Sequence, residues 1–177
     1  SFKDFAARAM ARFMQHLKSN GEKITVLVAT SGDTGSAVGE AYRGLEGFKV
    51  LILYPKDGVS PLQKKQLDSI GENVQSICID GSFDDCQNMV KEAFLDPELK
   101  DLNLTSANSI NIGRVLPQIA YYFHIYANVA EDFEPVIFSI PSGSDNIATT
   151  SIFSRGIFFI RHLSILSSIV LPLASIG

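Results

Sequence analysis

The sequence is poor in cysteine, has no basic cluster and no grouping of histidines, and each absence removes a class of function. Cys78 and Cys86 have no second Cys or His at metal-ligand spacing, so both read as reduced core thiols of a cytoplasmic protein. His16, His124 and His162 lie far apart, and no metal site is expected. Lys and Arg number 15 against 19 Asp and Glu, a net charge of −4. That balance argues against a nucleic-acid partner and against an anionic membrane surface. No internal repeat or low-complexity linker interrupts the chain before Gly143. It has no initiator methionine and no signal peptide, and it begins on its most informative motif, so it reads as a fragment.

What is present is an ordinary globular composition: 177 residues, 46% hydrophobic and 19% charged, enough to bury one domain or one and a partial second. Apolar residues at Phe2, Phe5, Ala6, Ala9, Met10, Phe13 and Leu17 have helical spacing, and Asn20-Gly21 closes that helix. Ile24 to Ala29 is a short β-branched run that predicts a buried strand. After a turn at Ser31–Gly35 come a helix through Ala37–Leu45, a strand at Val50–Tyr54, and a helix opened by Ser60-Pro61. A strand at Val74–Ile79 follows, then a helix from Phe83 to Phe94 that Ser82 can cap, with Asp84 and Asp85 at its positive end. A polar loop through Asp96-Pro97 and Asp101 leads to Leu104-Thr105 and Asn108-Ser109-Ile110-Asn111, and a long helix over about Arg114–Val129 and a fourth strand at Pro135–Ile140 follow. Strands alternating with helices predict an α/β fold, a mainly parallel sheet with helices on both faces.

Beyond Gly143 the character changes: from Ile147 to Gly177 there is no acidic residue, and Ile, Leu and Ser dominate. Ile157–Ile176 approaches bilayer length, but Arg161, His162, several serines and Pro172 interrupt it and argue against a membrane helix. The expectation is two regions, 1–143 and a divergent apolar tail at 144–177 that has left the native reading frame or run past an exon end.

Three stretches carry candidate chemistry. Lys3 stands at a helix start, where positive potential and the flanking Phe2 and Phe5 favour a neutral, nucleophilic amine; a solvated surface lysine is the alternative. Thr30-Ser31-Gly32-Asp33-Thr34-Gly35 joins a strand to a helix N-terminus, an arrangement that offers backbone N–H groups and hydroxyls to an anion. The alternative is a structural turn with Ser31 or Asp33 as helix cap. It matches neither a Walker A loop nor the dinucleotide fingerprint. Pro141-Ser142-Gly143-Ser144-Asp145-Asn146 also follows a strand, as a phosphate approach or a plain turn.

Taken together, Ser1-Phe2-Lys3-Asp4-Phe5, Ala29 to Gly35, Leu53-Tyr54-Pro55-Lys56-Asp57-Gly58-Val59-Ser60-Pro61-Leu62-Gln63, Ile79 to Gln87 and Ser106-Ala107-Asn108-Ser109-Ile110-Asn111-Ile112-Gly113-Arg114 resemble the threonine synthase family. These are pyridoxal-phosphate enzymes of the tryptophan-synthase-β fold. The resemblance covers Ser1–Gly143 and implies conversion of O-phospho-L-homoserine and water to L-threonine and phosphate. It implies that Lys3 holds pyridoxal 5'-phosphate and moves protons. Ser31, Gly32, Asp33, Thr34 and Gly35 match the loop that binds the substrate carboxylate along the cofactor ring. Asn108, Asn111 and Arg114 match a polar stretch near the cleft. Related enzymes place an asparagine at position 33, where Asp33 cannot donate unless protonated. Ser142-Gly143 begins the cofactor-phosphate loop, but Ser144-Asp145-Asn146-Ile147 departs from the family's Ser-Gly-Asn-Phe-Gly, and Asp145 adds negative charge there. Two other readings stand beside this one: another enzyme of the same cofactor fold (a threonine or serine dehydratase, or a cysteine synthase), and a truncated non-catalytic product.

Overall fold

β1 (Ile24–Ala29) is buried along its whole length, and the rest of the first unit is arranged around it. The computed structural model describes residues 2–130 and the strands 136–140, 149–154, 157–162 and 169–172. Contacts divide the chain into two units, Ser1–Ile119 and Ala120–Gly177. In the first, α1 (Phe2–Leu17), α2 (Asp33–Tyr42), α3 (Pro61–Asp68) and α4 (Phe83–Leu95) flank a sheet of β1, β2 (Phe48–Pro55), β3 (Val74–Ile79) and β4 (Leu104–Ser106). The order is β3-β2-β1-β4 and every pairing is parallel.

Alternation along β1 and β2 sends successive side chains into two cores, as a sheet covered on both faces requires. Val26, Val28, Val50, Ile52 and Tyr54 join Ala7, Met10, Val38 and Leu67 in the larger core. Leu27, Ala29 and Leu53 meet Cys86 and Val90 of α4 in the smaller one. Tyr42 and Phe48 pack edge to face, their ring centroids 5.3 Å apart. Capping boxes start α3, through Ser60 and Gln63, and α4, through Ser82 and Asp85.

Four details depart from the sequence reading. The fourth strand of the parallel sheet is β4, in a stretch to which the sequence reading gave no element. The expected strand near 135–140 forms as β5 (Val136–Ile140) but pairs antiparallel with β6 (Thr149–Ser154) in a separate sheet. The long helix expected from Arg114 to Val129 is broken into α5 (Ile112–Val115), a 3₁₀ turn at Leu116–Gln118 and α6 (Ile119–Val129). Pro117 accounts for this break, because it lacks the N–H needed to continue an α-helix and its ring crowds the preceding turn. Cys86 is buried as expected, whereas Cys78 is exposed on β3, which forms a sheet edge.

The second unit carries most of α6 and the antiparallel order β5-β6-β7-β8, with β7 at Ile157–His162 and β8 at Ile169–Pro172. The stretch weighed as a membrane helix thus contains two strands. Among the described residues no helix is long and apolar enough to cross a membrane.

Candidate functional site

The turn after β1 is built by a residue that belongs to neither the strand nor the helix. Thr30 is buried, and its Oγ1 accepts from the N–H of Gly32 at 3.1 Å and of Gly35 at 2.9 Å while donating to the Gly32 carbonyl at 2.9 Å. Gly32 occupies the cap position of α2, with no side chain to cap from, so Thr30 satisfies the third N–H of the helix instead. The cap expected from Ser31 or Asp33 is therefore absent; both side chains are exposed. Asp33 and Thr34, at the first two helical positions, keep N–H groups for which helix geometry supplies no intrahelical acceptor.

Glycine at 35 is a steric necessity. A Cβ there would lie 2.6 Å from Thr30 Cγ2, 2.9 Å from Ile52 Cγ2 and 3.0 Å from Leu67 Cδ2. At Gly32 a Cβ would lie 2.8 Å from Gln63 Nε2. That amide reaches across from α3 and donates to Asp33 Oδ1 at 3.1 Å.

Lys3 is half-buried in the first turn of α1. Its neighbour Asp4 and Asp33 line one cavity of about 290 Å³, together with Ser36, Glu40, Gln66 and Ser69. The first turns of α1 and α2 thus border the same space.

Asn108 joins the turn from the other side of β1. Its Nδ2 donates to the Ala29 carbonyl at 2.8 Å, and its Oδ1 accepts from the Ala29 N–H at 3.1 Å. It continues, with a side chain, the pairing that β4 ends at Ser106. Asn111 serves its own loop: Nδ2 donates to the Ser106 carbonyl at 2.8 Å, and Oδ1 accepts from the Gly113 N–H at 2.9 Å to cap α5. Arg114 is buried, with Nη1 donating to the Ala107 carbonyl and Nε without a partner. Burial pulls its guanidinium below the usual arginine range, an effect that the neighbouring Tyr42 phenol opposes in smaller measure. Burial in turn pushes the Tyr42 phenol well up.

The structure therefore groups Ser31–Gly35 and Asn108 at the C-terminal end of β1, with the first turn of α1 beside the turn. Asn111 and Arg114 sit in the following loop and short helix, engaged with backbone. Ser142 and Gly143 lie outside the described residues. Sequence reasoning gave no role to Thr30 or Gln63. Thr30 stood inside the quoted turn, and Gln63 at the third position after a Ser-Pro helix opening is a capping-box signal. The link from Gln63 to Asp33, 30 residues apart, has no local signature.

Among known proteins, the family described as "Pyridoxal-phosphate dependent enzyme" matches residues 1–161, beyond the residue 143 at which the motif resemblance ends. The chain is 45% identical to threonine synthase of Buchnera aphidicola (Acyrthosiphon pisum subspecies) over 159 residues, covering 89% of this chain and 37% of that protein. Among solved structures, threonine synthase from Escherichia coli superposes with a TM-score of 0.69 at 50% identity, over 75% of this chain and 31% of that one. Pyridoxal-phosphate-bound threonine synthase from Brucella melitensis gives a TM-score of 0.70 at 43% identity, over 81% and 32% respectively. The chain thus spans about a third of the length of the relatives it matches.

Proposed function

Because the chain belongs to the pyridoxal-phosphate-dependent enzyme family, we propose that it is part of a threonine synthase, forming L-threonine and phosphate from O-phospho-L-homoserine and water. The observation that carries this reading is the 45% identity to a threonine synthase over 159 residues, in a chain whose residues 1–161 match the pyridoxal-phosphate-dependent family. We place it in the cytoplasm, a reducing compartment that suits its two free thiols.

The residues of the first unit suit the cofactor, whereas Ser144-Asp145-Asn146-Ile147 departs from the family's cofactor-phosphate loop. Lys3, a half-buried residue, stands in the first turn of α1, and that turn and the first turn of α2 border one cavity through Asp4 and Asp33. Pyridoxal phosphate, when bound, supplies an electron sink for the charge left when a proton departs from the carbon bearing the substrate amine. Lys3 is the residue that would hold it, and its amine would carry that proton. The N–H groups of Asp33 and Thr34, with the Ser31 hydroxyl, bind the substrate carboxylate at the positive end of α2. Asn108 keeps that turn in place through Ala29. Arg114, a buried cation with an unpartnered Nε, suits an anionic group of the substrate. Ser142 and Gly143 are assigned to the cofactor phosphate.

The test is release of phosphate from O-phospho-L-homoserine by the purified chain with pyridoxal phosphate, with threonine identified as product. Turnover of threonine or serine to a keto acid, or of an activated serine to cysteine, would assign it to another enzyme of the same fold. The departure at Ser144-Asp145-Asn146-Ile147 favours a second reading, a non-catalytic product; cofactor binding without turnover would support it.

A further inference from the structure

Gln63 has two partners, and they fix its amide in one orientation. Its Oε1 accepts from the Ser60 N–H at 3.0 Å as part of the capping box of α3, and the Gln63 N–H donates to Ser60 Oγ at 3.2 Å. Only the amide oxygen can accept from that N–H, so the NH₂ end must point away, and it meets Asp33 Oδ1 at 3.1 Å. Gly32 leaves room for this, since any Cβ there would lie 2.8 Å from Gln63 Nε2. The cap of one helix therefore aims a donor at the first residue of another.

We propose that Gln63 is a positioning residue for Asp33: oriented by the Ser60 capping box, it holds the Asp33 carboxylate on the turn as an acceptor. The functional consequence rests on the threonine synthase reading above. One carboxylate oxygen is occupied by Gln63 and the other has no donor to offer, so any ligand group facing Asp33 must bring the proton itself. An asparagine at position 33 faces a ligand differently, because its own NH₂ can donate.

Gln63→Glu separates this role from helix capping. Glutamate still accepts from the Ser60 N–H, which keeps the capping box, but presents an oxygen to Asp33 where a donor stood. Gln63→Leu removes the donor to Asp33 and the side-chain half of the capping box, and leaves the backbone N–H of position 63 on Ser60 Oγ. In the ¹⁵N-labelled chain without cofactor, Asp33→Ala is expected to move the Gln63 side-chain NH₂ resonances toward the free-amide position, and Asp33→Asn, which retains an acceptor, to restore most of the shift. Gly32→Ala is expected to produce the same movement by displacing the Gln63 arm. Gln63→Glu is expected to leave the thermal midpoint within about 2 °C, whereas Gln63→Leu lowers it by about 4 °C through the lost side-chain half of the capping box. For pyridoxal phosphate, titrated by difference absorbance, both variants are expected to bind about tenfold more weakly than wild type. Amide resonances indifferent to Asp33→Ala would overturn the proposal. So would a Gln63→Glu chain that binds pyridoxal phosphate as wild type does. Should the wild-type chain bind no pyridoxal phosphate, the threonine synthase reading fails for this chain, and the amide resonances decide the role of Gln63 by themselves.

Discussion

Asn108 takes both backbone groups of Ala29, donating to its carbonyl at 2.8 Å and accepting from its N–H at 3.1 Å. The side chain thus acts as one more rung between β4 and β1, at the point where β1 passes into the turn. Ala29 is 2% exposed, so neither group can turn to water instead. Asn108→Ala should therefore cost about 2–3 kcal/mol, the loss of a bonded pair plus the desolvation of groups left unmet. Urea unfolding of the variant measures it, and a midpoint equal to wild type would show that the rung contributes nothing.

Gly35 sits inside α2, where alanine gains about 1 kcal/mol of helix propensity over glycine. Against that gain stand contacts of 2.6 Å to Thr30 Cγ2 and 2.9 Å to Ile52 Cγ2, both on β-branched side chains with little rotamer freedom. Overpacking of this kind costs about 1–3 kcal/mol, so Gly35→Ala should be net destabilising. Thermal unfolding is expected to show a lowered midpoint.

Thr30→Val keeps shape and removes the hydroxyl that serves the N–H groups of Gly32 and Gly35. Both sit in a buried turn, and leaving them unmet should cost about 1–3 kcal/mol, whereas Thr30→Ser should keep most of the stability. Amide hydrogen exchange at Gly35 gives a local check: protection is expected to fall in Thr30→Val and to persist in Thr30→Ser.

The Tyr54 phenol is pushed up to about 12, first by burial and then by the negative charge of Asp68, whose Oδ1 accepts its hydrogen bond at 3.3 Å. An unfolded tyrosine loses its proton near pH 10. Between that value and about 12 the folded chain holds more protons at this site, so stability falls as pH rises. Its contribution is complete below pH about 10 and is lost on approach to the folded value. Tyr42, raised by burial, acts in the same direction. Tyr54→Phe should make the alkaline loss of stability shallower, measured by urea midpoints at a series of pH values above 9 or so.

Much of this fold was legible because its signals are local. The run Ile24–Ala29 needs no partner to be recognised as a strand covered on both faces, and Ser60-Pro61 or Ser82 with Asp85 announce a helix start within four positions. β4 was missed because it is three residues at a sheet edge, Leu-Thr-Ser, with too little apolar pattern to stand out from its loop. The strand Val136–Ile140 was anticipated, but its pairing direction was not: an apolar run does not encode which neighbour it will meet. Cys78 reads as a core residue from its strand, yet the edge position of β3 leaves it exposed. At the site, the 31–35 turn was recognisable from glycine spacing and its place between strand and helix. Which groups organise it was not, because Asn108 reaches Ala29 across 79 residues and Gln63 reaches Asp33 across 30.

The central claim is that Lys3 at the start of α1 holds pyridoxal phosphate beside the 31–35 turn. The most direct measurement is to mix the purified chain with pyridoxal phosphate, reduce with borohydride, digest, and locate the modified residue by mass spectrometry. The account predicts that the label falls on Lys3 and is lost in Lys3→Ala. A chain that takes up no label, or takes it only on scattered surface lysines in proportion to their exposure, would contradict it.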